Sequence, residues 1–185
     1  MKIVAIAGSP RLKGNTNFLV DQALAEAEKL GVETEKIVIS QHKVNPCLGH
    51  DDCVSRASCT QKDDAGWIID KFYQADGVIL ASPVYYYNVT AQLKDFIDRN
   101  FFQYNRNQQA KAGSVGIIVI AESEGIEDTL HTLHQFIDSA CNVEQERRIV
   151  VSGYAGRAGD VQKNAPLVAE ARGLGRKMAE SLKRE

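Results

Sequence analysis

Met1-Lys2-Ile3-Val4-Ala5-Ile6-Ala7-Gly8-Ser9-Pro10-Arg11-Leu12-Lys13-Gly14-Asn15-Thr16 reads as a buried strand feeding an anion-binding turn. Ile3 to Ala7 is short, apolar and rich in β-branched residues, as suits a parallel strand covered on both faces. The chain then switches at once to Gly, Ser, Pro, Arg, Gly, Asn and Thr, and a helical pattern follows. A helix starting there aims its unpaired N–H groups, and the positive end of its dipole, at the mouth of the turn. That is where a phosphate would sit.

Outward from this turn, strand and helix patterns alternate to the end of the chain. Leu19, Val20, Ala23, Leu24, Ala27 and Leu30 keep helical spacing, and Gly31 supplies a stop. Val32 to Ile39 alternates apolar and charged residues like an outer strand. Asp63 and Asp64 are placed to cap a short helix through Trp67, Ile68 and Phe72. Gly77 to Ala81 and Val115 to Ala121 are further apolar strands, and Arg148 to Ser152 is the last one. Helices are predicted around Leu93–Phe101, Ile126–Cys141 and Leu167–Leu182. Five strands alternating with five helices imply a doubly wound α/β fold with a parallel sheet.

Composition narrows the function classes. At 185 residues and a net charge of -2, the chain suits one domain, 1–185, without the basic footprint of a nucleic-acid binder. No apolar run approaches membrane-spanning length, and no signal-peptide pattern precedes the first strand, so a cytoplasmic location is expected. Three of the four cysteines crowd into Cys47 to Cys59, a spacing that favours a metal or redox site over a disulfide framework. Cys141, far away, is most simply a small core residue.

Two sheet orders compete. A dinucleotide-binding domain wants G-x-G-x-x-G after the first strand, and a Walker loop wants Gly-Lys-Ser/Thr. Neither is present. Ser9, Arg11, Asn15 and Thr16 offer hydroxyl, guanidinium and amide groups that wrap a terminal phosphate, which points to a mononucleotide. The flavodoxin-like order 2-1-3-4-5, with its ligand at the switch point between strands 1 and 3, fits best.

Gly8-Ser9-Pro10-Arg11, Gly14-Asn15-Thr16 and the run Ser82-Pro83-Val84-Tyr85-Tyr86-Tyr87-Asn88-Val89-Thr90 to Arg99 resemble the NADPH-dependent FMN reductase family. Asn45-Pro46-Cys47 through Cys59 to Asp64 is most similar to its iron–sulfur flavoprotein branch. The resemblance implies that Ser9, Arg11, Asn15 and Thr16 hold the FMN phosphate, with Gly14 allowing close backbone approach. It also implies that Pro83, Val84, Tyr85, Tyr86 and Asn88 line the flavin ring and ribityl chain. A third family loop, here Ala121-Glu122-Ser123-Glu124-Gly125, is more acidic than the family pattern, and Ser123 is its candidate contact. Read on their own, Ser9, Asn15 and Thr16 also serve as turn and cap residues, and the tyrosines as surface or interface aromatics.

The cysteine loop, at about residues 42–62, departs from the branch it resembles. Cys47, Cys53 and Cys59 keep three of the four cysteine positions, and His50 stands where the second would be. Three readings stay open: a Cys3His iron–sulfur cluster, a tetrahedral zinc site with the same ligands, or no metal.

These features imply an FMN-dependent oxidoreductase that takes electrons from NAD(P)H and passes them to a flavin, a quinone or another small acceptor. The cofactor carries the redox chemistry, so no catalytic side chain is expected beyond those that bind and orient it. The alternative is an electron-transfer flavoprotein served by a ferredoxin-like donor. The resemblance further implies a homodimer or homotetramer, and Asn100-Phe101-Phe102-Gln103-Tyr104 puts aromatics just past a helix where a partner could bury them. Read on their own, they equally suit packing of the helix end.

Overall fold

All three fully apolar runs fold as the central strands of one sheet. The computed structural model describes residues 1–184. Its strands β1 (Lys2–Ala7), β2 (Glu33–Val38), β3 (Gly77–Pro83), β4 (Ser114–Ala121) and β5 (Arg148–Tyr154) are all parallel, in the order β2-β1-β3-β4-β5. This is the flavodoxin-like arrangement, and its order reverses between β1 and β3.

The helices are α1 (Asn15–Lys29), α2 (Ala65–Gln74), α3 (Ala91–Arg99), α4 (Phe101–Tyr104), α5 (Ile126–Ala140) and α6 (Ala165–Leu182). Side chains alternate across a strand, so each central strand feeds two cores. Val4, Ile6, Val78, Leu80, Ile117 and Val119 pack with α2, α3 and α5 around Phe72, Phe96 and Phe136. Ile3, Ala5, Ile79, Ala81, Ile118 and Ile120 pack instead on α1 and α6 through Leu19, Ala23, Leu174 and Met178. Burial on both faces is why these strands read as continuous apolar runs. No helix among the described residues is long and apolar enough to cross a membrane.

Two local expectations change. The pattern predicts five helices, but a short sixth, α4, follows α3. Buried Asn100 donates its side-chain amide to the Phe96 carbonyl at 2.7 Å, and Gln103 N–H then takes the Asn100 carbonyl at 2.9 Å, restarting the helix. The two aspartates before α2 also divide their work. Asp63 Oδ1 accepts from Ala65 N–H at 3.2 Å, while Asp64 accepts from Lys43 N–H and Trp67 Nε1.

Candidate functional site

The turn after β1 is locked from inside and open at its rim. Gly14 is the N-cap of α1, and the first intrahelical bond runs from Phe18 N–H to the Gly14 carbonyl at 3.1 Å. The N–H groups of Asn15, Thr16 and Asn17 therefore have no acceptor within the helix. No acidic residue lies in the first turn of α1, so its positive end is left uncompensated. Ser9 Oγ accepts from Arg11 N–H at 3.3 Å, and Gly14 N–H donates to the Arg11 carbonyl at 2.8 Å. A Cβ on Gly14 would lie 2.9 Å from that carbonyl oxygen, so the turn closes this tightly only around glycine.

Asn17, which the sequence pattern does not single out, is fully buried and donates to the Arg11 carbonyl at 2.9 Å. Asn15 is placed differently from expectation. Its amide nitrogen donates to the Arg157 carbonyl at 2.8 Å and its oxygen accepts from Gly159 N–H at 3.0 Å. The side chain thus pins the loop after β5 against the turn, and the group it leaves for an anion is its backbone N–H.

The loop after β3 forms the facing wall. Val84 N–H reaches the Ile120 carbonyl at 2.8 Å, which carries the chain along the end of β4. Tyr85 and Asn88 then pair through both backbone bonds, at 2.8 and 3.1 Å, closing a two-residue turn over Tyr86 and Tyr87. Both tyrosines have left-handed backbone, φ 47° and 60°. Such a conformation costs a non-glycine residue about 1–3 kcal/mol. Tyr86 is nevertheless wholly exposed, so no packing of its own holds it there. Asn88 serves to close the turn, its Oδ1 accepting from Val89 N–H at 2.8 Å.

Buried Thr90 and Ser82 brace the two walls. Thr90 Oγ1 donates to the Gly8 carbonyl at 2.7 Å and accepts from Leu93 N–H at 3.3 Å as the N-cap of α3. Ser82 Oγ accepts from Thr90 N–H at 3.0 Å. Neither is a predicted contact; a threonine just before an apolar helical run is the signal that could have found the cap.

Between the walls lie two adjoining cavities. Ser9, Arg11, Gly14, Asn15 and Thr16 share one of about 100 Å³ with Pro83, Val84 and Tyr85. Its far side is formed by Ala155, Gly156 and Ala158 of the loop after β5, which sequence reasoning left out. Small residues just past a parallel strand were the available signal, since ligands sit at the carboxyl ends of strands. The second cavity, about 180 Å³, holds Tyr86, Tyr87, Ser123 and Glu124. Val84 and Glu122 line both. Gly125, with φ 84°, lets the loop after β4 run under the tyrosine turn; a Cβ there would meet Tyr87 Cα at 2.8 Å. Tyr87 Oη donates to Glu124 Oε2 at 2.7 Å, and this hydrogen bond raises the phenol's pKa above its ordinary value.

This donor set fits a phosphorylated mononucleotide. Backbone N–H groups, two hydroxyls and a guanidinium converge on a phosphate-sized recess. The adjoining groove is walled by Val84 and the tyrosines, as a flat aromatic ring requires.

The cysteine loop is organised from its base. Arg99 and Asp63, both buried, form an ion pair at 2.5 Å. Arg99 also donates to the Asn45 carbonyl at 3.0 Å and to Cys59 Sγ at 3.5 Å, and Asp63 accepts from Asn45 N–H at 2.9 Å. Burial alone would raise the Asp63 carboxyl, but the bonds from Arg99 and Asn45 hold it below its ordinary value. One buried pair therefore clamps both ends of the loop.

Within it, Cys53 is buried, and burial first, then the neighbouring Cys47 and Cys59, pushes its thiol up. The four residues expected as ligands are nonetheless not gathered: among the described residues no three His, Cys, Asp or Glu side chains form a metal-holding group. Cys47 and Cys59 line different cavities, the first beside Phe101 and Phe136, the second beside Arg99 and Arg106. The loop as folded does not fit a cluster held by Cys47, His50, Cys53 and Cys59.

Comparison with known proteins follows the same lines. Residues 1–155 match the model of the family described as NADPH-dependent FMN reductase. An iron–sulfur flavoprotein of Methanocaldococcus jannaschii is 34% identical over 189 residues, covering 99% of this chain and 98% of its own. One from Archaeoglobus fulgidus is 45% identical over 125 residues, which are 68% of this chain and 56% of that protein. A solved structure of RosB with bound 8-demethyl-8-formylriboflavin-5'-phosphate matches with TM-score 0.74 at 16% identity, over 100% of this chain and 79% of that one.

Proposed function

The chain belongs to the NADPH-dependent FMN reductase family, and from that premise we propose that it passes electrons from NAD(P)H through FMN to a flavin, quinone or other small acceptor. It is an FMN flavoprotein of the oxidoreductase class; the donor and the acceptors are our reading. The observation that carries this reading is the meeting of the Gly8–Thr16 turn and the Pro83–Asn88 wall around one groove.

The residues divide the task. Ser9, Thr16, Arg11 and the free N–H groups of α1 hold the phosphate, so the 5′ end is anchored by charge and dipole. Pro83, Val84, Tyr85 and Tyr86 orient the ring and keep water from one side of it. Ser123, in the lining of the second cavity, would meet the ring's far edge. Bound FMN supplies two-electron acceptance and release, and the protein supplies position and electrostatics. The tyrosine turn flanks the way in for donor and acceptor.

The exposed rings of Phe101 and Tyr104, stacked 6.4 Å apart, support a homodimer or homotetramer in which a second copy covers them. A second reading, motivated by the cysteine loop, is electron transfer from a ferredoxin-like donor. Steady-state assays separate the two. The first predicts NADPH or NADH oxidation with FMN or a quinone as acceptor. Rapid reduction by a ferredoxin beside negligible NAD(P)H oxidation would replace it with the second.

A further inference from the structure

We propose that Glu122 sets the electron affinity of the bound cofactor, its carboxylate opposing the negative charge that reduction brings into the groove. This rests on the FMN reading above. Glu122, with Val84, lines both cavities and so lies where they adjoin. It makes no hydrogen bond or ion pair among the described residues. Its neighbour Glu124, by contrast, accepts the Tyr87 hydroxyl at 2.7 Å. The Glu122 side chain lies against Gly156, where a Cβ would be 3.3 Å from Glu122 Cγ and 3.4 Å from Oε1.

Glu122 is an exposed, unpaired acid on the rim of a site for an anion. The phosphate end already balances its ligand with Arg11 and the dipole of α1, whereas Glu122 adds charge of the wrong sign for binding alone. Its effect falls on reduction. Hydride transfer from a nicotinamide oxidises that donor and brings two electrons and one proton to the flavin. The flavin gains one negative charge unless a second proton follows from water. Glu122 is exposed at the rim of the groove, and its carboxylate disfavours that charge across the low-dielectric protein beside it while the solvent it faces screens part of the effect. The oxidised cofactor is thereby favoured over the reduced one, and the bound flavin becomes a stronger reductant towards neutral, electron-poor acceptors.

Glu122→Gln removes the charge and keeps the shape. The potential of bound FMN and the dissociation constant of oxidised FMN are measured for wild type, Glu122→Gln, Glu122→Lys and Glu124→Gln. The expected result for Glu122→Gln is reduced FMN held about tenfold tighter relative to oxidised FMN, a rise of ~30 mV for the two-electron couple. Glu122→Lys moves further the same way, and Glu124→Gln moves less than either. Potentials of the Glu122 variants indistinguishable from wild type, with FMN bound, would overturn this proposal and leave the FMN reading standing. Wild-type protein that binds no FMN would overturn both.

Discussion

Thr90 Oγ1 donates to the Gly8 carbonyl at 2.7 Å, joining the turn after β1 to the wall after β3 across 82 positions of sequence. The same oxygen caps α3 by accepting from Leu93 N–H. This buried hydroxyl, with Ser82, therefore holds the turn after β1 against the loop after β3. Thr90→Val keeps the volume, orphans the Gly8 carbonyl and removes the cap. The expected loss is about 1–3 kcal/mol in urea unfolding, with weakened FMN affinity, and Thr90→Ser restores most of both.

Arg11 tests the phosphate end. A charge-assisted hydrogen bond contributes about 1.5–3 kcal/mol, so Arg11→Ala is expected to weaken FMN roughly ten- to a hundredfold. Riboflavin, which lacks the phosphate, should bind wild type and variant alike. Calorimetric titration with both ligands makes the comparison.

Tyr86 is a case where stability and function pull apart. Its left-handed backbone is strained and its ring wholly exposed. Tyr86→Asn places a residue that tolerates this conformation. It should raise unfolding stability by on the order of 1 kcal/mol while lowering FMN affinity. A variant both less stable and unchanged in binding would show that the turn is held for another reason.

Asp63 and Arg99 test the clamp on the cysteine loop. Removing one member of a buried pair leaves an uncompensated charge, so Asp63→Asn should cost about 3–5 kcal/mol. The pH dependence has a definite sign. The Asp63 carboxyl titrates lower in the folded protein than its ordinary 3.8, so its stabilisation is complete above that value. It is lost as pH falls below 3.8 through the folded-state pKa. The fluorescence of Trp67, whose indole bonds Asp64 next door, reports the loosening in an acid titration.

The fold was largely legible because β1, β3 and β4 are buried on both faces, and such strands leave unbroken apolar runs. The turn at Gly8–Thr16 was legible because its chemistry is local. What escaped the sequence depends on distant partners. Nothing near Asn15 announces that its side chain is committed to residues 157 and 159, more than 140 positions away. Thr90 looks like a cap, and its bond to Gly8 exists only once β1 and β3 pair. The cysteine spacing suggested a shared ligand set, but Arg99 and Asp63 anchor the loop so that Cys47 and Cys59 face different cavities.

One FMN is expected to bind with its phosphate at the turn after β1. Titrating flavin-free protein with FMN tests it most directly, followed by flavin absorbance and calorimetry. The expected result is one FMN per chain, bound much more tightly than riboflavin. Absence of FMN binding, or equal affinity for FMN and riboflavin, would contradict it.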